Sequence, residues 1–211
     1  KLESEINNIT DRQIYAGNPI NQLFIVKLLT KERTQLQNYI GQNAEDIFKN
    51  LEEKFNFPDE SDYTGVIEGI YRLQDTYDLL PRQLGMGNLS AKYRNRPLTA
   101  AEYFEIGFHA YSINDFYHAL QWFMASEEEL KDEALPTIDR KILLDYLSFT
   151  TYKQGNIGHA LNLTYELLNA DPQHERANVN KNFFEEDLNA IRSKNAGNVY
   201  RSFHQIENER D

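Results

Sequence analysis

The sequence predicts an all-α chain in two parts, a helical N-terminal region followed by a helical-repeat domain. Three observations carry this. Apolar residues recur at helical spacing through residues 18–80. A stretch punctuated by Pro81, Gly85, Gly87 and Pro97 then breaks the pattern. The block that follows repeats itself at an offset of 41 residues. Hydrophobic residues make up 40% of the 211, enough to bury a core.

In the first part, Asn18 and Pro19 open a helix, Asn18 as the cap and Pro19 in the first turn. Leu29, Leu36, Ile40, Ile47, Leu51 and Phe55 then form one apolar stripe, bent or broken near Gly41. Pro58 to Ser61 is a turn, and Val66, Ile70, Leu73 and Tyr77 mark a second helix. A narrow stripe on a long helix packs on another helix, so residues 1–90 read as a helical, coiled-coil-like dimerisation region. Residues 81–97 read as the boundary.

The repeat aligns Gly107, Asn114, Asp115, Phe116 and Ala119 with Ser148, Gly155, Asn156, Ile157 and Ala160. Small residue, turn pair, small residue is the tetratricopeptide pattern of two antiparallel helices around a tight turn. The offset exceeds the usual 34 residues by about seven. The excess falls around Lys131–Asp139, with Pro136 ending the helix. A further helix over His174–Leu188 stacks as the start of an incomplete third repeat. The tetratricopeptide-like domain thus spans 98–188, and the polar residues 189–211 read as a linker or fraying tail.

First helices of such repeats line a concave face. Counting through the turns places Phe104, Phe108 and Tyr111 there, then Ile142, Asp145, Phe149 and Tyr152. Adding 34 to the second set gives Arg176, Val179, Phe183 and Glu186. Arg176 is thereby set near Asp145 and Phe183 beside Phe149, with Tyr146 and Asn180 on the edge of the same surface. The candidate peptide-binding residues are Asp145, Tyr146, Phe149, Tyr152, Arg176, Asn180 and Phe183. An aromatic lane with a few fixed donors suits a polyproline II peptide, whose carbonyls are free of internal hydrogen bonds.

Composition excludes other chemistry. Acids number 33 against 22 bases, and 16 acids against 6 bases fall within 98–187, which argues against a nucleic-acid partner. Cysteine is absent, removing disulfides, thiol catalysis and Cys-type zinc sites. No apolar run is long enough for a membrane-spanning helix. The five histidines show no metal-ligand spacing, and no phosphate loop or nucleophile elbow occurs. Catalytic residues, metal and cofactors are therefore expected to be absent from this chain. It opens on Lys1 without a signal-peptide pattern, as a cut or processed terminus would. Asn8, Asn88 and Asn162 begin N-x-S/T triplets, a weak sign of secretion.

Five motifs fall together in order: Arg72-Leu-Gln-Asp-Thr-Tyr77, Leu98-Thr-Ala-Ala-Glu102, Asn114-Asp-Phe-Tyr-His118 with Trp122, Leu144-Asp-Tyr-Leu-Ser148 and His174-Glu-Arg-Ala-Asn178. They resemble the collagen prolyl 4-hydroxylase α-subunit family over about residues 17–188. The resemblance implies an N-terminal dimerisation region followed by a peptide-substrate-binding domain. It implies that Arg176 and Asn180 match the family's groove arginine and asparagine, that Asp145 matches the arginine's partner, and that Tyr146 and Tyr152 match groove tyrosines. Phe149 and Phe183 stand where the family has tyrosine, keeping ring surface and losing two hydroxyls.

The resemblance further implies a parent enzyme that uses Fe(II), 2-oxoglutarate and ascorbate through an iron-binding H-x-D…H set and a 2-oxoglutarate lysine that this chain lacks. Expected partners are proline-rich procollagen segments, a second α subunit and protein disulfide isomerase, in the endoplasmic reticulum lumen. The rival reading is a general tetratricopeptide scaffold holding a partner protein's peptide tail.

Overall fold

Helix formation begins where the sequence supplies a cap. In a computed structural model, which describes residues 12–40, 45–86 and 96–194, the Asn18 side chain accepts from the backbone N–H of Ile20 and Asn21 at 2.9 and 3.2 Å. The chain divides into two compact units, residues 1–98 and 99–211. All regular elements of the described residues are helical.

In the first unit, α1 (Arg12–Gly17) leads to α2 (Pro19–Lys27). The helix runs on through a π-helical turn, Leu28–Glu32, into α3 (Arg33–Ile40). Thr30 and Thr34 hydroxyls donate to the carbonyls of Val26 and Thr30 at 2.7 and 2.9 Å, a back-bonding that accompanies the widened turn. Then come α4 (Glu45–Lys54), α5 (Glu60–Tyr77) and the short α6 (Pro81–Gly85). A reciprocal cap starts α5: Asp59 accepts from Ser61 and Asp62, and Asp62 accepts from the Asp59 N–H. The Ser61 hydroxyl and these backbone donors hold the Asp59 carboxyl below its ordinary value.

The core of this unit is Ile20, Leu23, Phe24, Tyr63, Ile67, Ile70, Tyr71, Leu84 and Leu98. Two expectations change here. On α5 the buried face is Tyr63, Ile67, Ile70, Tyr71 and Gln74, whereas Val66 and Leu73 are half-buried and Tyr77 is exposed. The sequence stripe caught one edge of that face, because aromatic Tyr63 and Tyr71 bury more ring than Val66 offers. The stretch read as the boundary begins folded. Leu84 is fully buried, and Leu98 N–H donates to the Gly85 carbonyl at 3.0 Å. The expected bend at Gly41 lies outside the described residues.

The second unit is two hairpins and a closing helix: α7 (Ala100–Ser112), α8 (Phe116–Asp132), α9 (Arg140–Lys153), α10 (Ile157–Ala170) and α11 (Glu175–Lys194). Each helix packs on the next. The repeated turn has a physical cause. Asn114 and Gly155 occupy the left-handed region at φ 62 and 85, where short polar or Cβ-free residues are tolerated. The next residue caps the second helix: Asp115 accepts from His118 N–H at 3.1 Å, and Asn156 from His159 N–H at 3.3 Å. The extra residues between repeats fold back on α7. Glu133 accepts from Ala100 N–H at 2.8 Å, placing a carboxylate at the positive end of that helix. The helix ends at Asp132, before Pro136, because Glu133 turns to extended backbone to make this contact. The last helix runs to Lys194, six residues past its expected end, so the linker begins later than read.

Gly107 sets the α7–α8 approach. A Cβ there would lie 2.8 Å from Phe123 Cδ1 and 3.1 Å from Trp122 Cβ, both buried rings that cannot give way. Gly107→Ala is expected to cost about 1–3 kcal/mol by overpacking. Urea unfolding followed by Trp122 fluorescence, which reports this unit alone because it is the sole tryptophan, measures it. An unchanged midpoint would contradict the close approach.

Candidate peptide groove

Helical periodicity gives α7, α8, α9 and α11 two kinds of aromatic position. Tyr103, Trp122, Phe123 and Phe184 are fully buried and form the interior. One step around the helices, Phe104, Tyr111, Tyr146, Phe149 and Tyr152 are half-buried, while Phe108 and Phe183 are 41% and 51% exposed. This second set is continuous. Tyr146 meets Phe104, Phe108 and Tyr111 edge-on at 5.5, 5.3 and 5.0 Å between ring centroids. Tyr111 meets Phe149 at 5.9 Å, Phe149 meets Tyr152 at 6.5 Å, and Tyr152 meets Phe183 at 5.6 Å. Edge-on pairs of this kind favour one another beyond their burial, so the lane is a fixed surface of ring faces and edges.

Polar groups sit at defined points on it. Arg176 donates from Nε to Asp145 Oδ1 at 2.8 Å, and its guanidinium carbon lies 4.6 Å from the Tyr146 ring centroid. Burial, the largest single effect, works against the Arg176 charge, but the hydrogen bond and charge of Asp145, with Tyr111 and Tyr146 nearby, together outweigh it and raise the guanidinium above its ordinary value. Arg176 Nη2 and Asn180 Nδ2 are buried donors without an acceptor among the described residues. At the same point His174 caps α11, accepting from Ala177 N–H on Nδ1 at 3.2 Å, with Nε2 3.9 Å from Asp145 Oδ2. Lys153 Nζ lies 5.4 and 5.6 Å from the Phe116 and Phe149 ring centroids.

All seven sequence-nominated residues therefore come together on α9 and α11. Two details differ. Phe183 meets Tyr152 and Phe184, whereas its expected neighbour Phe149 meets Tyr111. Tyr152 does not keep its hydroxyl for a guest: the O–H donates to Asp187 Oδ2 at 2.5 Å. That bond, with burial and the nearby charge, pushes the phenol up to about 12. Asp187 went unnominated because a carboxylate inside the run Glu185-Glu186-Asp187 reads as solvated helix surface. Phe184, stacked on Tyr152 at 4.3 Å, was likewise not distinguished from its neighbour Phe183.

Residues 1–91 match the model of the prolyl 4-hydroxylase alpha-subunit N-terminal region, and residues 100–190 match that of the prolyl 4-hydroxylase peptide-substrate-binding domain. The chain belongs to the prolyl 4-hydroxylase α-subunit family. Mouse prolyl 4-hydroxylase subunit alpha-1 is 38% identical over 177 residues, which cover 83% of this chain and 33% of the relative. The human subunit alpha-1 is 37% identical over the same shares, and subunit alpha-2 of Caenorhabditis elegans is 34% identical over 180 residues, 82% of this chain and 33% of its own. The chain spans about a third of the length of these prolyl 4-hydroxylase subunits. The groove lies within the segment matched to the peptide-substrate-binding domain.

The Tyr152–Asp187 bond has a pH signature. The folded pKa lies above the ordinary value of 10, so its contribution to stability is full below pH 10 and is lost as pH rises through about 12. Carbon-detected NMR of ring-labelled tyrosine is expected to show Tyr152 titrating well above 10, towards about 12, and to show it returning towards 10 in Asp187→Asn. An ordinary Tyr152 titration in the wild type would contradict the bond.

Proposed function

We propose that this chain is the dimerising and substrate-holding part of a collagen prolyl 4-hydroxylase α subunit, binding proline-rich segments in polyproline II form along α9 and α11. The observation that carries the reading is the half-exposed aromatic lane flanked by the unpaired donors Arg176 Nη2 and Asn180 Nδ2. Proline rings lie flat on aromatic rings, and a polyproline II backbone offers its carbonyls to side-chain donors. A buried donor without an acceptor costs about 1–3 kcal/mol, so a carbonyl reached by a small swing of either side chain gains most at these two points. Phe149 and Phe183 add ring area without a hydroxyl, so recognition there rests on apolar contact.

The peptide groove holds substrate and leaves the chemistry to the Fe(II)/2-oxoglutarate domain of the whole enzyme, where tethering raises the local concentration of proline. Dimerisation is assigned to the first unit. Leu36, Tyr39, Ile40, Leu51 and Phe55 are exposed there, an apolar stripe that a second copy would cover. The whole subunit would work in the endoplasmic reticulum lumen with protein disulfide isomerase. The scaffold alternative, a clamp for an acidic tail, is disfavoured because Arg176 is already paired with Asp145.

Titration calorimetry with a (Pro-Pro-Gly) repeat peptide tests the groove. Micromolar to millimolar binding is expected, weakened about tenfold or more by Arg176→Ala and about three- to tenfold by Asn180→Ala. No binding, or unchanged binding in both variants, would remove the assignment. For the first unit, light scattering is expected to give twice the chain mass of 24.7 kDa, falling to one chain in a Leu36→Glu, Phe55→Glu double variant. A monomeric wild type at tens of micromolar would contradict the dimer.

A further inference from the structure

The groove has two chemically different ends. At the start of α11 it presents donors, Arg176 Nη2 and Asn180 Nδ2, which take carbonyls. Two turns further along the same helix it presents the reverse. Tyr152 has one hydroxyl proton, and that proton is committed to Asp187 Oδ2 at 2.5 Å. The phenol oxygen is left with lone pairs alone, and a carboxylate that accepts this proton has only lone pairs to offer. Among the described residues no cation pairs with Asp187, and Tyr152 is the one donor seen on it. Both residues are half-buried, so both keep access to a guest. The Tyr152 ring cannot turn away, because it stacks on the fully buried Phe184 at 4.3 Å and 12° and meets Phe183 edge-on.

We infer that Tyr152 and Asp187 form an acceptor-only subsite that selects peptides presenting a backbone N–H there, which makes the non-proline position of each triplet a recognised element. This rests on the peptide-binding reading and adds to it. Proline has no N–H, so in a Pro-Pro-Gly segment glycine alone supplies one, once per triplet. The spacing fits a guest lying along α11. Asn180 and Asp187 are seven residues apart on this helix, about 10.5 Å. Three residues of polyproline II rise about 9.3 Å. A triplet can therefore give a carbonyl to Asn180 and an N–H to the Tyr152–Asp187 pair. Asp187 acts here partly through Tyr152, as a positioning residue that fixes the direction of the hydroxyl proton. An all-proline segment would meet the donor end equally well and leave the acceptor end without a partner.

The test compares two isosteric peptides on the same chain: a (Pro-Pro-Gly) repeat, and its ester analogue in which each glycine N–H is replaced by oxygen. Calorimetry is expected to show the amide peptide binding wild type about three- to tenfold tighter than the ester. In Asp187→Ala that ratio is expected to fall towards one, with the loss confined to the amide peptide. Asp187→Asn, which keeps an oxygen for Tyr152 and loses the carboxylate charge, is expected to fall between, and it serves if the alanine variant unfolds. Equal binding of both peptides to wild type would overturn the inference. So would a ratio unchanged in the variants, or equal weakening of both peptides, which is the mark of a merely structural role. Binding of neither peptide to wild type would be a different failure, that of the peptide-binding reading itself.

Discussion

The bond between Asp145 and Arg176 is the interaction on which the groove depends. It joins α9 to α11 at the one buried carboxylate among the described residues, with Asp145 only 9% exposed. An isolated carboxylate at that depth would be costly, and a guanidinium satisfies it while leaving a second nitrogen free. The pair sets how α11 sits along α9. That placement in turn carries Asp187 to Tyr152. Lysine could make the ion pair but would leave no fixed donor beyond it.

A second constraint is the division of aromatic residues. Ring surface is most stabilising when buried, about 1.5–3 kcal/mol for a full side chain, so a helix rich in Phe and Tyr tends to turn every ring inward. Here a small residue on one face limits that. Gly107 brings α7 so close to Trp122 and Phe123 of α8 that no side chain fits between, and among the described residues of this unit the fully buried large rings are Tyr103, Trp122, Phe123 and Phe184. The remaining rings are crowded to the rim, where they support one another edge-on. The groove is thus a by-product of close helix packing, and it needs no loop or lid to hold its shape.

Much of this was legible in the sequence. The turn pairs Asn114-Asp115 and Gly155-Asn156 betray the repeat because left-handed backbone and helix capping both demand specific residue types. The groove residues follow from that register by counting. What counting missed has physical causes. The true inner face of α5 is centred on Tyr63 and Tyr71, and tyrosine does not declare whether it is core or surface. Glu133 looked like one more acid in an acidic run, though it closes the start of α7 across 33 residues. Asp187 was hidden in the same way, since a carboxylate's partner is decided by tertiary placement and not by local pattern. Phe149 and Phe183 diverge in neighbours because a fixed 34-residue offset does not decide which rings of two packed helices meet.

The family membership and the geometry support a single proposal: that the rim of rings and donors along α9 and α11 docks an extended, proline-rich chain. The most direct measurement is a chemical-shift map of the isotope-labelled protein titrated with such a peptide. The account predicts that the perturbed side chains form one contiguous path through Tyr146, Phe149, Tyr152, Arg176, Asn180 and Phe183. Perturbations scattered over both units, or gathered on the outer helices α8 and α10, would contradict it.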